Sequence, residues 1–466
     1  MPIHSQHPTY VATISVWRKI RDAVAGEERV KANPTYLPRL SEMTATDYDS
    51  FVQRAKFYAA PEKTLAALLG LVVRKSADVV LNDTLAALLE DVDGSGASLD
   101  VFASRVLSEV LTMGRVGISA DIIDGRMTLM MHPAETIINW RADATGRPTM
   151  LVTAREEEVV SPDDRYLSHT ETTYRHWEKT PDGITFKRET YKNGELIDAP
   201  PEVVLSAPQG ALENIPFLII GQSGVAVDIK RSPLLPIVNL ALHYYLLSAD
   251  RNWGLHFTAL ATPYVIGVNA QQAPSGIGPT CLWAIANENA KVGMLEFSGA
   301  GVQEIAAEME ADKREMADMG ARLLESRARA AEAAATVEMK MGSDSASLAT
   351  ICESVSSGIT MLLRIASEWL GRPDDEVYLS LNRDFMPTKL PPVELTALVN
   401  AWLNGAISSE ELYASLQEGE IIDPSKPFEL HAEEIEKTAA SRGGGLEAQN
   451  EPIPPAARNA ANSRTD

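Results

Sequence analysis

Aspartates, histidines and serines are the residues in this sequence whose types and spacing could do chemistry, and each grouping points to a different reaction class. Asp91-Val92-Asp93-Gly94-Ser95-Gly96 alternates oxygen ligands and places a glycine sixth, as a calcium loop does. That ladder closes on a bidentate glutamate at position 12, where this chain has Phe102, so Asp/Gly turn chemistry before a helix accounts for the stretch better. Asn239, His243 and Asp250 sit at offsets 0, 4 and 11 and share one helix face. His243 could serve there as a ligand or a base, although a polar residue satisfied inside a packed interface is the simpler account. His431, near Glu433 and Glu434, reads as part of a solvated acidic face. The pairs Asp163-Asp164 and Asp374-Asp375 fall in turn-like contexts. HExxH, GxSxG, GxGxxG and GxxxxGK[ST] are absent. The expectation is a chain with no catalytic residues, no cofactor and no metal.

The shared strip needs a helix to carry it, and the sequence around it supplies one. Ser232-Pro233-Leu234-Leu235-Pro236 is a helix start, because a proline in the first turn lacks only an N–H that has no helical partner. A helix of roughly 20 residues follows, with no further proline until Pro263. Ile237, Val238, Leu240, Leu242, Tyr245 and Leu246 cover most of its circumference, so burial on several sides is expected, within a core or between subunits.

Elsewhere, periodicity predicts helices over 10–26, 44–59, from Pro61 through Val72, 83–89 and 99–113, the last capped by Ser98. The pattern changes at Gly114. Asp124-Gly125, Pro181-Asp182-Gly183 and Asn193-Gly194 are turn signals between short apolar runs. Residues 114–221 therefore read as a small β-rich unit inserted between two helix-rich halves. A strand is expected at 262–268, a Gly/Pro-rich loop at 269–279 and irregular chain over 280–300. A long helix then begins near Gly301, with Val302, Ile305, Met309, Met316 and Met319 as its apolar stripe and an acidic outer face. An alanine-rich stretch around 328–335, a helix over 345–370 and a short strand within 374–384 follow. Helices at 392–404 and 408–417 have Ser408 and Ser409 as N-cap candidates. The tail from Ser441 is low-complexity and expected to be disordered. The predicted class is α+β, mainly α.

Composition narrows the function. Of 466 residues, 42 are basic and 64 acidic, giving a net charge of −22. Such a chain is a poor candidate for gripping nucleic acid through a basic surface, yet like charge suits a wall past which DNA slides. Cys281 and Cys352 lack metal-ligand spacing and read as reduced thiols. No signal-peptide pattern opens the sequence and no apolar run reaches the roughly 18–20 residues of a membrane span. A soluble, intracellular chain is expected.

Several stretches taken in order resemble a family of phage proteins first described as uncharacterised and now regarded as portal-like. They include Trp17, Asp22 and Gly26, then Tyr36-Leu37-Pro38, and FVQRAKFYAAPEKTLAALLGLVVRK at 51–75. SLDVFASRVLSEVLTMGRVGISAD at 98–121, Ile137-Ile138-Asn139-Trp140-Arg141 and Asn214-Ile215-Pro216-Phe217 continue the likeness. Residues 232–268, EMADMGARLLE at 315–325 and NGAISSEELYASLQEGEI at 404–421 complete it.

The resemblance implies a portal fold: a wing at 1–98, a stem helix at 99–113 and a β-rich segment at 114–221 that includes the clip. A second stem helix and strand would occupy 222–268, tunnel loop and long wing helices 269–390, a small crown 391–440 and a disordered tail 441–466. It implies a homododecameric ring at one capsid vertex of the virion, assembled in the host cytoplasm, through which double-stranded DNA passes non-specifically. Partners would be the terminase large subunit, a head-completion adaptor, and the major capsid and scaffolding proteins, with no membrane. Asn239, His243 and Asp250 would face the channel. Lys291, the lone basic residue of 283–300, would lie on the tunnel loop. A head-to-tail adaptor or minor capsid protein is the alternative, disfavoured by length, and an enzyme with an unrecognised site is the third reading.

Overall fold

Local capping signals set the first helices. Helix α1 (Pro8–Ala25) has proline in its first turn and His7 as N-cap, and α2 (Glu27–Ala32) follows directly after Gly26. Helix α3 (Ala45–Arg54) opens on a reciprocal Thr44–Asp47 capping box. It stops well short of the expected 59, because the next residues turn to α6: Lys56 donates its N–H to Ser248 Oγ at 2.8 Å. Helix α4 (Ala60–Val73) and strand β1 (Asp78–Val80) come next. The expected helix at 83–89 is only a 3-10 turn, Ala86–Leu89, preceded by an Asn82 side chain that accepts from Leu85 N and Thr84 Oγ1. Helix α5 (Leu99–Met113) is capped by Ser98, whose Oγ accepts from Val101 N. Gly114 ends it with φ 84°, the left-handed geometry that glycine adopts at least cost.

Strands β2 (Arg115–Ile123), β3 (Arg126–His132), β4 (Ile137–Ala142) and β5 (Pro148–Val160) follow. Then come β6 (Ser168–Thr180), β7 (Gly183–Lys192), β8 (Glu195–Asp198), β9 (Val203–Ala207) and β10 (Gly210–Ala211). Strands β11 (Phe217–Gly221) and β12 (Gly224–Val225) lead into α6 (Leu235–Thr258). After β13 (Thr262–Ile266) and β14 (Lys291–Leu295) come α7 (Ala300–Arg322), α8 (Leu348–Trp369) and β15 (Tyr378–Ser380). Helices α9 (Pro392–Leu403) and α10 (Ser409–Glu418) come next. The class is α+β, as expected.

This computed structural model describes residues 2–161, 164–208, 210–212, 214–258, 262–269, 285, 287–295, 300–322, 348–383, 385, 392–404, 406–418, 422, 427 and 428. The alanine-rich stretch, the tail from Ser441, His431 and Cys281 lie outside them. The chain divides into two units, Met1–Arg383 and Asp384–Asp466. Segments separated at the sequence level up to 383 thus pack together. In the second unit, Ser408 caps α10 through a reciprocal exchange with Glu411, at 2.7 and 3.1 Å.

In the first unit a seven-stranded antiparallel sheet runs β10-β9-β7-β6-β5-β4, with β8 also on β7, and a four-stranded sheet runs β12-β11-β2-β3. The β-rich segment, which lies between α5 and α6 in the chain, belongs to the same unit as those helices. Helix α8 lies on β2, β11 and β12, and it comes so close that a Cβ on Gly358 would meet Ile220 Cδ1 at 2.5 Å. Although α8 is long and apolar enough to cross a bilayer, most of it is buried in the protein, as a core helix would be. Its free Cys352 is buried, and burial pushes the thiol up to about 12.

Charge is buried where α1, α5 and the turn before β4 meet. Arg21 binds Glu109 at 2.7 and 3.0 Å and Glu135 at 2.9 and 2.8 Å. Arg115 is 0% exposed, 4.9 Å from the Trp17 ring and 4.3 Å from the Trp140 ring, and its Nε has no hydrogen-bond partner. Burial pulls that guanidinium down to about 9, so it remains charged at neutral pH. Trp17 donates its indole N–H to the Met113 carbonyl at 3.2 Å, fastening α1 to the end of α5.

Candidate functional site

Helix α6 carries the strip that the sequence singles out. Ser232 prepares its start, accepting from Leu234 N at 3.2 Å and donating to the Thr112 carbonyl at 2.5 Å. The chain therefore leaves α5 at Gly114 and re-enters α6 at the same place, with eleven strands between. One face, with Ile237, Val238, Ala241, Tyr245, Ser248 and Ala249, is buried. It packs on α1, α3, α4 and α7, with Phe51 edge-on to Trp253 at 5.7 Å and Tyr58 against Tyr244 at 5.6 Å. Leu240, Leu242, Leu246 and Leu247 are half-buried.

Asn239, His243 and Asp250 are all exposed, on the side away from that core. Lys19 Nζ donates to Asn239 Oδ1 at 2.8 Å. His243 Nδ1 lies 2.9 Å from Asp312 Oδ2, joining α6 to α7; the Asp312 side chain is 6% exposed and that of His243 46%. The half-exposed imidazole thus covers a buried carboxylate and is satisfied by it. Partial burial raises the Asp250 carboxyl above its ordinary value. Beside the strip, Lys313 lies 5.8 Å from the Tyr58 ring and 5.7 Å from the Tyr244 ring. The outer face of α7 exposes Glu304, Glu308, Glu315 and Asp318, while Met309 and Met316 face inward.

One expectation changes. Lys291 is not in irregular chain: it is exposed on β14, paired in register with Ile266 of β13. The pairing is non-local and Gly293 interrupts the apolar pattern, so no local signal marks this strand; the Tyr264 ring lies where a Cβ on Gly293 would be. Helix α5, the first stem helix that the resemblance implies, packs on α1, α4, α8 and β2. Ten of its residues are buried, while Asp100, Val101 and Arg105 are exposed on the remaining face.

The calcium reading fails on donor supply. Asp91 Oδ1 already accepts from Gly94 N at 2.8 Å and Gly96 N at 3.0 Å, and Oδ2 from Arg126 at 2.9 Å. Asp93 Oδ1 accepts from Ser95 N at 2.9 Å. Backbone N–H groups hold Asp91 and the Ser95 hydroxyl and N–H hold Asp93 below the usual carboxylate range. No cluster of three or more metal-ligating side chains occurs among the described residues.

One pair that sequence reading missed resembles a nucleophile and its base: Ser119 Oγ is 2.8 Å from His132 Nε2. Both are buried, and His132 packs against Phe217 at 4.7 Å and Trp177 at 6.4 Å. Burial pushes His132 down to about 3, so it is neutral, and no substrate can reach it. It satisfies a polar pair in the core. A surface cavity of about 180 Å³ is lined by Arg147, Asn214, Phe217, Met361, Arg364 and Glu368 among others. Arg364 there donates to the Val377 and Asp375 carbonyls.

A family profile described as a domain of unknown function, DUF4055, matches residues 233–370, from the start of α6 past the end of α8. No curated protein matches. Among solved structures, a chain in the neck of an empty gene transfer agent particle, computed with C6 symmetry, is similar at 12% identity. The likeness covers 76% of this chain and 88% of that one, with a TM-score of 0.40. A chain in the virion of the native gene transfer agent particle is similar at 11% identity over 85% of this chain and 98% of that one, also with a TM-score of 0.40.

Proposed function

We propose that this chain is the subunit of a phage portal: a ring at one capsid vertex that guides double-stranded DNA during packaging and ejection and performs no catalysis. The observation that carries the reading is helix α6, which is buried on one face, half-buried and apolar on its flanks, and polar on a single exposed strip of Asn239, His243 and Asp250. Half-buried leucines beside a polar strip suit a helix flanked by copies of itself around a water-filled space. The acidic outer face of α7 and the net charge of −22 suit a wall that DNA does not stick to. The ordered likeness to portal-like phage proteins supports the same reading and supplies the stoichiometry of twelve. Terminase, adaptor, scaffolding and capsid proteins are its proposed partners.

Negative-stain imaging and native mass spectrometry of the purified protein, alone and with scaffolding protein, test the proposal. A closed ring is expected, and a monomer under every assembly condition refutes it. Lys291→Glu separates a DNA-facing role from an interface role. Reduced DNA packaging with rings intact supports the tunnel assignment; loss of rings places Lys291 between subunits.

A further inference from the structure

The N-terminal arm, Pro2–His7, lies along β4, the last strand of the seven-stranded sheet. A register shift between Ile137 and Asn139 leaves Ile138 out of the pairing with β5. The His7 N–H takes the Ile138 carbonyl at 2.8 Å, and Asn139 Nδ2 donates to the Ser5 carbonyl at 2.9 Å. An uncovered edge strand is a template for pairing with another chain, and the arm occupies this one. The His7 side chain adds two further attachments. Its ring stacks on Trp140 at 4.2 Å and 18°, and its Nδ1 caps α1 by accepting from Thr9 N at 3.2 Å. Arg115 shares the same indole, 4.3 Å from its centre.

The cap requires an imidazole unprotonated at Nδ1. Protonating Nδ1 removes the acceptor that caps α1, and it sets a second cation beside the buried Arg115. We propose that His7 is a proton-operated latch: neutral, it docks the N-terminal arm on the β4 edge; protonated, it releases the arm and uncovers that edge. This device is independent of the portal reading.

Desolvation first, then Arg115, holds the docked imidazole below its ordinary value of 6.5. The released arm therefore binds the proton more strongly, so docking is complete above pH 6.5 and is lost as pH falls below it. The neighbouring charges do not reverse this sign. Glu135, before β4, is committed to Arg21. Tyr10 on α1 donates its hydroxyl to the Glu135 carbonyl and stays neutral throughout this range, and Arg18 on the same helix adds positive charge. On the arm itself, His4 lies 6.4 Å from both Tyr174 and Tyr191, with Glu189 bonded to Tyr191.

Hydrogen exchange of the full chain at pH 7.5 and 5.0, corrected for intrinsic exchange chemistry, reads arm docking at the His7 amide. Protection is expected to fall below pH 6.5 by up to about tenfold per pH unit. His4→Gln should leave that profile unchanged. His7→Asn, which keeps a capping oxygen but cannot titrate, should make protection independent of pH. Equal protection of the wild type at both pH values, or acid release that persists undiminished in His7→Asn, overturns the proposal.

Discussion

Replacing Arg21 with alanine tests how the larger unit tolerates charge in its interior. Arg21 makes four hydrogen bonds to two carboxylates, Glu109 on the buried helix α5 and Glu135 before β4. One cation and two anions leave one negative charge over, and the buried Arg115, which feels Glu135, balances it. Without Arg21, two carboxylates share a pocket in which the Glu109 side chain is 11% exposed. Removing one partner of a fully buried pair costs about 3–5 kcal/mol. The Arg21 side chain is 37% exposed, so water screens part of that, and a loss of about 2–3 kcal/mol is expected. Urea denaturation followed by tryptophan fluorescence measures it, since Trp17 and Trp140 both lie beside Arg115. Adding Glu109→Gln to Arg21→Ala should recover stability, with a coupling of about 1 kcal/mol or more in the double-mutant cycle. A loss under about 0.5 kcal/mol, or two strictly additive losses, would refute the account of a charge-balanced cluster.

Gly358→Ala should destabilise by about 1–3 kcal/mol despite the better helix propensity of alanine, because its Cβ would meet Ile220 side-chain atoms at 2.5 Å; a thermal melt detects this. Acidification should weaken the fold through His132. Its folded value of about 3 lies below the ordinary 6.5, so the stability present above pH 6.5 is lost as pH falls toward 3. The slope should approach about 1.4 kcal/mol per pH unit, and His132→Gln should flatten it in urea titrations. Millimolar calcium should leave the melting temperature unchanged, since the Asp91 oxygens are already taken by Gly94, Gly96 and Arg126; a calcium-dependent rise would restore the metal reading.

Local chemistry in the sequence determined the elements that carry their own signals. Ser98 and Gly114 bound α5, Asp124-Gly125 and Asn193-Gly194 turn their hairpins, and Ser232-Pro233 starts α6, because caps and turns are satisfied by residues next in the chain. The common face of Asn239, His243 and Asp250 follows from helical spacing alone, and all three are exposed. What those side chains touch depended on the tertiary structure. The Asp312 partner of His243 lies 69 residues away, and the Lys19 partner of Asn239 lies 220 away. The same physics shortened α3, turned Lys291 into a strand residue opposite Ile266 and packed α5 on α1, α4, α8 and β2. It also hid the latch: nothing in the spacing of His7, Arg115 and Trp140 foretells that three distant elements bring them onto one indole. Periodicity sets which face of a helix is polar, whereas only packing chooses the groups that meet it.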